Sequence, residues 1–511
     1  MGRIIDAVSR TTCALGLALL LASCVPIRTP FPADRMHDAD AQHVEAVLAQ
    51  AATQLDEGGP DRLGVTLDDI AHGVSFSRLP LDLRYRTLLA AALVAEQQHR
   101  DADAHTFATK ATRLEGEVET AWSLRLNTAA AIGDYRDAAN SLVTLARRWP
   151  ASVNDFNPDA IGNLHSLLRQ SGALVADREV LDALFDAHWQ IDGREPSLLW
   201  RQLVLYHLAD DGHARADAIA LRITSAEAAI GMLADKRFDS ITRRYPRHFN
   251  IRRLLAAEIV ERQDRMAAHP DELEPITDLE ILFLMTRKYP DVLGISDVTV
   301  ARVEFGDGKT AYTDFDRWYV WVLDYRARAL MREQRWSDAT RVESRAARYP
   351  EQGSPNTSQF INLGAWLANL RKPDEAAEAI SKAGGVSAFG GMQYQGVKLR
   401  IAVDRRDESA IHASMTYMRA HQAEDITGWE DALLLQGNKD AAAALLIQRL
   451  ADPGQRLGAL TDMQHYTSCM KTPLEQLVGR RWRAVTTRAD VRAALRRVGR
   501  VRRYDLCPPI R

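Results

Sequence analysis

The chain has 511 residues, of which 46% are hydrophobic and 26% charged, and its formal net charge is −3. This length allows a large core or two to four domains. Ala and Leu dominate while Pro and Gly are scattered, which favours helices throughout, and no stretch after Cys24 is long and apolar enough to span a membrane.

The N-terminus has the pattern of a secretory leader. Arg3 and Arg10 form its basic end, and residues 11–21 form an apolar core too short to cross a bilayer. The segment ends in Leu21-Ala22-Ser23-Cys24, which resembles the lipobox of bacterial lipoproteins. The alternatives are an ordinary cleaved leader with a chance cysteine, or an uncleaved anchor helix.

The lipoprotein resemblance implies that residues 1–23 are a signal peptide and that Cys24 is the acylated first residue of the mature chain, with palmitate among its acyl chains. Several acyl chains hold a protein stably on a membrane. In the family, Asp after the cysteine favours retention in the inner membrane, and Val25 stands there. We therefore expect sorting to the outer membrane, with the body of the protein in the periplasm.

Residues 24–40 are predicted to be a linker. Pro26, Pro30 and Pro32 disfavour helix and suit an extended spacer between the bilayer and the folded body.

The repeated motifs of the body predict helical hairpins. Amphipathic segments end in a basic, aromatic and proline motif, which suits the C-terminus of a helix. The four occurrences are Arg147-Arg148-Trp149-Pro150, Arg243-Arg244-Tyr245-Pro246, Arg287-Lys288-Tyr289-Pro290 and Ala347-Arg348-Tyr349-Pro350.

Two segments resemble the tetratricopeptide repeat (TPR), a pair of helices in about 34 residues. The first consists of Phe360, Leu363-Gly364, Leu367, Asp374-Glu375-Ala376, Ile380 and Ala383, and the second of Trp122, Gly133-Asp134-Tyr135-Arg136-Asp137-Ala138, Leu142 and Pro150. The resemblance implies an all-α fold, a TPR-like α-solenoid whose stacked hairpins share a core and leave a concave surface for a partner. We assign N-terminal helical repeats to residues 41–290 and C-terminal TPR-like repeats to residues 316–455.

Two regions depart from the helical pattern. Residues 298–303 and 310–315 flank a Gly-rich turn, which predicts a short β-hairpin insertion over residues 291–315. Residues 456–511 are predicted to form a basic C-terminal cap, with a short helix from near Thr487 to Gly499 followed by extended chain.

Cys469 and Cys507 are the remaining cysteines once Cys13 leaves with the leader and Cys24 is acylated. In an oxidising periplasm we expect them to form a disulfide that pins the cap. The alternative is a pair of buried thiols. Neither cysteine has a closely spaced Cys or His companion, so we expect no metal site.

The charge is concentrated at the C-terminus. Residues 471–511 contain twelve Lys and Arg against three acidic residues, a net charge of +9, which leaves about −13 on residues 24–470. Arg492, Arg496 and Arg503 are our candidates for binding a partner or an anion through their guanidinium groups. In a periplasmic protein the counterpart would be lipid head groups, acidic glycans or an acidic protein rather than nucleic acid. The alternative is that the tail clamps onto the acidic body of its own chain.

The sequence predicts no catalytic residues and no cofactor. Gly308-Lys309-Thr310 lacks the upstream glycine of a phosphate-binding loop, because Val303 stands there, and the histidines are dispersed.

The leading functional hypothesis is therefore a membrane-tethered scaffold that binds a protein partner in an envelope assembly for polysaccharide export, secretion or pilus formation. The alternatives are an activator of a peptidoglycan synthase and, third, a glycan hydrolase or lyase with its site in the concave groove.

Overall fold

A computed structural model describes residues 35–57, 61–114, 118–306, 308–350, 356–467, 469 and 471–507. The predicted signal peptide, Cys24 and the predicted linker up to residue 34 lie outside these residues. The first helix begins at Arg35, so residues 35–40 are helical and the linker prediction is wrong for them. The chain divides into two units, Met1–Arg222 and Ile223–Arg511.

The described part of the first unit consists of α-helices joined by short turns. They are α1 (Arg35–Glu57), α2 (Asp61–His72), α3 (Leu81–Gln97), α4 (Asp101–Leu114), α5 (Glu119–Ile132), α6 (Tyr135–Arg148), α7 (Pro158–Gln170), α8 (Leu174–Asp186), α9 (Ser197–Ala209) and α10 (His213–Ala220), with 3₁₀ turns at Phe76–Arg78 and Ser152–Asp155. From α2 to α10 each helix packs against the next one in the chain.

The second unit is also helical, with one two-stranded sheet among its described residues. Its helices are α11 (Ala226–Ala234), α12 (Asp239–Arg244), α13 (Ile251–Ala268), α14 (Glu274–Met285), α15 (Tyr289–Phe305), α16 (Phe315–Arg332), α17 (Trp336–Ala346), α18 (Thr357–Asn369), α19 (Pro373–Ile380), α20 (Ala388–Arg405), α21 (Glu408–Ala420), α22 (Ile426–Gln436), α23 (Lys439–Ala451), α24 (Arg456–Asp462), α25 (Pro473–Thr486) and α26 (Ala489–Val498). Short 3₁₀ turns lie at Lys236–Phe238 and Gly308–Ala311. The strands are β1 (His465–Tyr466) and β2 (Arg503–Tyr504), which pair in parallel. The predicted all-α fold built from TPR-like helical hairpins is confirmed.

The turns within two hairpins show how local sequence sets the fold. Gly133 adopts a φ of 80° and ends α5, and the side chain of Asp134 then caps α6 by accepting a hydrogen bond from the Asp137 amide. Gly437, with a φ of 77°, and Asn438 do the same between α22 and α23. A left-handed glycine followed by a short polar cap reverses the chain between two helices.

Polar side-chain contacts join the two helices of hairpins in the first unit, and one of them extends to the next hairpin. Arg125 on α5 binds Asp137 on α6 at 2.5 Å, and His165 on α7 binds Asp177 on α8 at 2.7 Å. In each pair the partners are 12 residues apart. The Tyr206 hydroxyl on α9 then donates to Asp177 at 2.6 Å. The buried Asp177 carboxylate therefore links three consecutive helices, and this satisfies its charge away from water.

Gly364 lies where α18 crosses α19. A Cβ atom at this position would collide with the Ile380 side chain and would lie 3.3 Å from a methyl group of Val397 and 3.4 Å from the Ala376 carbonyl oxygen. The predicted TPR-like small residue therefore allows the two helices to approach closely.

The second unit forms a closed circuit of packed helices. Each helix of the circuit packs on the next one, and the last packs on the first. The order is α11, α13, α14, α16, α17, α18, α20, α22, α23, α24 and again α11. The last hairpins thus cover the first helix, whereas an open solenoid leaves both ends exposed.

The segment Gly499–Cys507, which we call the C-terminal strap, fastens this closure. The Arg500 amide donates to the Ala234 carbonyl oxygen at 2.9 Å, and the Arg500 side chain binds Asp239 at 2.6 Å. Gly499 lies so close to α11 that an added Cβ would approach the Ala234 carbonyl oxygen to 2.6 Å. The strap therefore binds the start of the second unit directly.

The other end of the strap is held by a disulfide and by α14 and α15. Cys469 and Cys507 are bonded, with their Cα atoms 5.8 Å apart. The Cys507 amide donates to the Met285 carbonyl oxygen at 2.8 Å, and Arg287 binds Asp505 at 2.6 Å. The C-terminal segment is thereby tied to three separate parts of the second unit.

The predicted β-hairpin at residues 291–315 is wrong. Residues 289–305 form α15, and Gly308–Ala311 form a 3₁₀ turn. The β-branched residues of 298–303 suggested a strand, but the buried positions Val292, Ser296 and Thr299 follow helical spacing. Pro290 stands in the first turn of α15, where proline is tolerated, so it begins a helix instead of ending one.

Replacing Gly364 with alanine is expected to lower the free energy of unfolding of the second unit by about 1–3 kcal/mol, because the added methyl group overpacks the crossing. Gly294 is the matched control: it lies inside α15 with no heavy atom within 4 Å of an added Cβ. Gly294→Ala should raise stability by about 0.5–1 kcal/mol through helix propensity. Urea unfolding measures both changes, and a neutral Gly364→Ala would contradict the close crossing.

The double variant Cys469→Ala/Cys507→Ala tests how much the disulfide of the strap contributes to the free energy of unfolding. The disulfide closes a loop with a sequence separation of 38, so its loss should cost about 3–4 kcal/mol on the chain-entropy model. Denaturant unfolding of the oxidised protein, the reduced protein and the double variant provides the comparison. The last two should agree with each other, and equal stability of all three would show that the bond does not constrain the chain.

Candidate functional site

The structure places the three predicted binding arginines on the surface of the cap. Arg492 and Arg496 lie one helical turn apart on the exposed face of α26, and Arg503 lies on β2. Arg503 follows the end of α26 by five residues and is also exposed. The predicted helix of the cap is present, at Ala489–Val498.

Four further arginines extend this exposed group. We define the arginine surface as the exposed arginines of α25, α26 and the strap: Arg480, Arg483, Arg492, Arg496, Arg497, Arg502 and Arg503. None of the seven forms an ion pair with the residues that the structure describes. The surface therefore presents guanidinium groups that no carboxylate of the described chain neutralises.

The three acidic residues of the same region have partners within the protein. Glu475 forms a capping box with Thr472 at the start of α25. Asp490 binds Arg488 at 2.9 Å, which holds the pKa of Asp490 below its usual value. Asp505 binds Arg287 and accepts a hydrogen bond from the Thr467 hydroxyl at 2.9 Å. All three acidic side chains therefore have partners within the protein, and Asp505 also ties the cap to Arg287.

A second set of arginines anchors the cap to the second unit. Arg481 donates to the Leu434 carbonyl oxygen at the end of α22, at 2.8 Å. Arg488 binds Asp440 on α23 at 2.5 Å, and Arg500 binds Asp239 on α12. The sequence left two alternatives for the basic tail, an intramolecular clamp and a free binding surface. Arg481, Arg488 and Arg500 make the contacts of a clamp, and binding by the exposed arginines stays a prediction.

The sequence analysis missed the other four exposed arginines because it treated the tail as a run of charge. Helical spacing is the signal that finds some of them. Arg480 and Arg483 are three residues apart on α25, as Arg492 and Arg496 are four apart on α26. No local pattern distinguishes these residues from Arg481 and Arg488, since their roles depend on contacts with distant helices.

Carboxyl groups buried in the second unit form a separate polar cluster. Glu280, Asp324 and Glu343 are 0%, 2% and 1% exposed. Burial raises the pKa of both Glu280 and Glu343 above the usual value, and the nearby Asp324 charge raises them further. Asp324 itself binds Arg328 at 2.5 Å. These carboxyl groups lie between α14, α16 and α17, away from any surface that a substrate would reach.

Glu258 is a further buried acid with a defined structural contact. Its Oε1 atom accepts a hydrogen bond from the Ala226 amide at 2.6 Å, at the N-terminus of α11. Burial raises the pKa of Glu258 to about 7, against the opposing effect of that hydrogen bond. Glu258 therefore joins α13 to the helix that the strap also contacts.

The cleft between α5, α6 and α7 of the first unit is small. It is lined mainly by apolar side chains, among them Leu126, Tyr135, Phe156 and Ile161, and has a volume of about 40 Å³. Ligand pockets are typically about 300–1,000 Å³. This cleft has room for a water molecule or a small group only.

Two searches of the described residues gave negative results. No group of three or more His, Cys, Asp or Glu side chains in that part of the chain is arranged to hold a metal ion. No helix among the same residues combines the length and apolar composition that are needed to cross a membrane.

Comparisons with known proteins found similarity at the level of solved structures. No family model matches the chain, and no curated protein sequence matches it. The structure of Naa15/Naa10 bound to HypK-THB is 13% identical, with 86% of this chain and 73% of that chain covered and a TM-score of 0.25. The APC/C hetero-tetramer Cut9-Hcn1 is 12% identical, with 91% and 99% covered and a TM-score of 0.27. Yeast Tom70 is 10% identical, with 86% and 99% covered and a TM-score of 0.16. At TM-scores this low, the fold assignment rests on the helices and turns of this chain.

Glu258 predicts a pH dependence of stability. Because its pKa is about 7 when folded and near 4.5 when unfolded, the folded state holds the proton more tightly. This contribution to stability is full below about pH 4.5 and is lost as the pH rises through 7. Glu258→Gln keeps the acceptor for the Ala226 amide but does not titrate. Urea unfolding from pH 4.5 to 8 should show a smaller decline in the variant than in the parent, and identical profiles would contradict the assignment.

Proposed function

We propose that this protein is a lipid-tethered scaffold of the bacterial cell envelope that binds a protein partner in a polysaccharide export, secretion or pilus assembly. The observation that carries the proposal is the side-by-side packing of helical hairpins in both units. Such arrays expose one helix after another along a continuous surface, and this suits the binding of an extended partner.

The proposed cellular location is the periplasmic face of the outer membrane. Its support is the leader ending in Leu21-Ala22-Ser23-Cys24, in which Cys24 would carry the acyl chains. The Cys469–Cys507 disulfide is consistent with an oxidising compartment. Val25 favours the outer over the inner membrane, by the resemblance to lipoproteins.

The location of one cluster of acidic side chains argues against a glycan-cleaving site at that place. Glycan hydrolysis commonly uses two carboxyl groups that flank the scissile bond. The clustered Glu280, Asp324 and Glu343 are buried among helices, so their carboxyl groups do not line a surface. No such argument separates an export or secretion partner from a peptidoglycan synthase, and the capture experiment below distinguishes them.

Cys24→Ala tests the proposed anchor. We expect loss of labelled palmitate and release of the protein from the membrane fraction, because the variant lacks the thiol that receives the acyl chain. Cys13→Ala is the matched control, since it changes a cysteine inside the leader and should leave labelling unchanged. Palmitate incorporation in Cys24→Ala equal to that of the parent would contradict the anchor.

Photocrosslinking in living cells tests the scaffold role. A crosslinking residue is placed at exposed positions such as Arg136 on α6, Gln170 on α7 and Val175 on α8. We expect one envelope protein to be captured from neighbouring positions in successive hairpins. A murein synthase as the captured protein would favour the alternative role, and capture of no specific protein from any position would contradict the scaffold.

A further inference from the structure

We propose that the arginine surface is a docking site for an acidic segment of a protein partner, bound through its Asp and Glu carboxylates. This inference rests on the proposed scaffold function and adds the location and the chemistry of one contact. Its physical basis is the separation of charge within the cap, where acids are engaged internally and arginines face outward.

The described part of the cap retains positive charge that its own acidic residues do not neutralise. Its acids Glu475, Asp490 and Asp505 are held by the capping box, Arg488 and Arg287 respectively. The seven exposed arginines have no carboxylate partner among the described residues. Arg492 and Arg496 are four residues apart on one helix, where like charges are neighbours and repel one another, so a bound anion relieves an existing cost.

The exposed cations of the cap are of one chemical type. All seven exposed cations are arginines, although lysine would provide the same charge. The planar guanidinium group forms two parallel hydrogen bonds with one carboxylate, which a lysine ammonium cannot do. The use of arginine therefore favours a partner whose individual carboxylate groups are each bound by a guanidinium group.

The apolar residues of the cap favour a protein segment over a lipid bilayer as the occupant. Peripheral helices that bind membranes insert an apolar face below the head groups. In α26 the apolar residues Val491 and Ala494 are buried in the core shared with α23. In α25 the corresponding Leu474 and Val485 are buried too. The described part of the cap has no exposed large hydrophobic residue, so it has no apolar face to insert.

The cap is fastened to the rest of the second unit at several points. The disulfide, the Arg500–Asp239 pair and the Arg488–Asp440 pair fix the cap on the second unit at separate points. Arg492 and Arg496 thus stand at a fixed spacing of about 5–6 Å between Cβ atoms on one helix face. A pre-organised pair loses less entropy when it binds two carboxylates of one segment.

The test uses the full-length protein purified in detergent and a fluorescein-labelled 16-residue peptide rich in glutamate. Fluorescence anisotropy should show binding that weakens as salt rises. Arg492→Glu/Arg496→Glu should weaken it at least about tenfold. Arg252 and Arg253 are exposed on α13 and provide the control: Arg252→Glu/Arg253→Glu makes the same change in net charge and should leave affinity within about twofold.

A lysine double variant separates the effect of two-point hydrogen bonding by arginine from the effect of positive charge alone. Arg492→Lys/Arg496→Lys keeps the charge but removes the bidentate geometry, and we expect part of the affinity to be lost. Full affinity in the lysine variant, or an equal loss in the Arg252/Arg253 control, would overturn the proposal.

Other occupants are separate outcomes of the same test. Vesicles of phosphatidylcholine with phosphatidylglycerol should bind the Arg492→Glu/Arg496→Glu variant and the Arg252→Glu/Arg253→Glu control with the same affinity. Vesicle binding lost in the Arg492/Arg496 variant, or self-association of the protein lost in that variant, with no peptide binding in either case, would overturn the acidic-segment proposal. Such a result would leave the crosslinked partner and the lipid anchor standing, so the two proposals fail separately.

Discussion

Closure of the second unit is the constraint on which the rest of this structure depends. Arg500 binds Asp239 across a sequence separation of 261, and Cys507 is bonded to Cys469 while its amide binds Met285. A stack of helical hairpins normally ends in an apolar face that needs a polar cap. Here the last helices cover the first one, so both ends of the array are protected by the same contacts.

The closure also determines which charges remain for binding. The arginines that fasten the cap, such as Arg488 and Arg500, bind carboxylates on helices that come earlier in the chain. The exposed arginines of α25, α26 and the strap form no ion pair with a carboxylate among the described residues. A single basic tail thereby supplies both an internal clamp and an arginine surface.

Features set by neighbouring residues could be predicted from the sequence, whereas those set by distant contacts could not. Gly133-Asp134 encodes the turn of one hairpin, and Gly364 encodes the close crossing of the helices in another. The structure has both features. The strand prediction at residues 298–303 was wrong because Val300 and Val303 pack on the core at helical spacing, and this tertiary packing outweighs the β preference of valine. The circuit itself has no local signature, because it closes through contacts between α11 and α24, which lie far apart in the sequence. For the same reason the sequence did not separate clamping arginines from exposed ones.

Hydrogen exchange on the variant Gly499→Val tests closure most directly. The added side chain would collide with the Ala234 carbonyl oxygen and with Leu460, so the strap should leave α11. The account predicts faster amide exchange in residues 226–244, although that segment is more than 250 residues away in sequence and is itself unaltered. Faster exchange confined to residues 456–507, with residues 226–244 as protected as in the parent, would contradict the closed circuit.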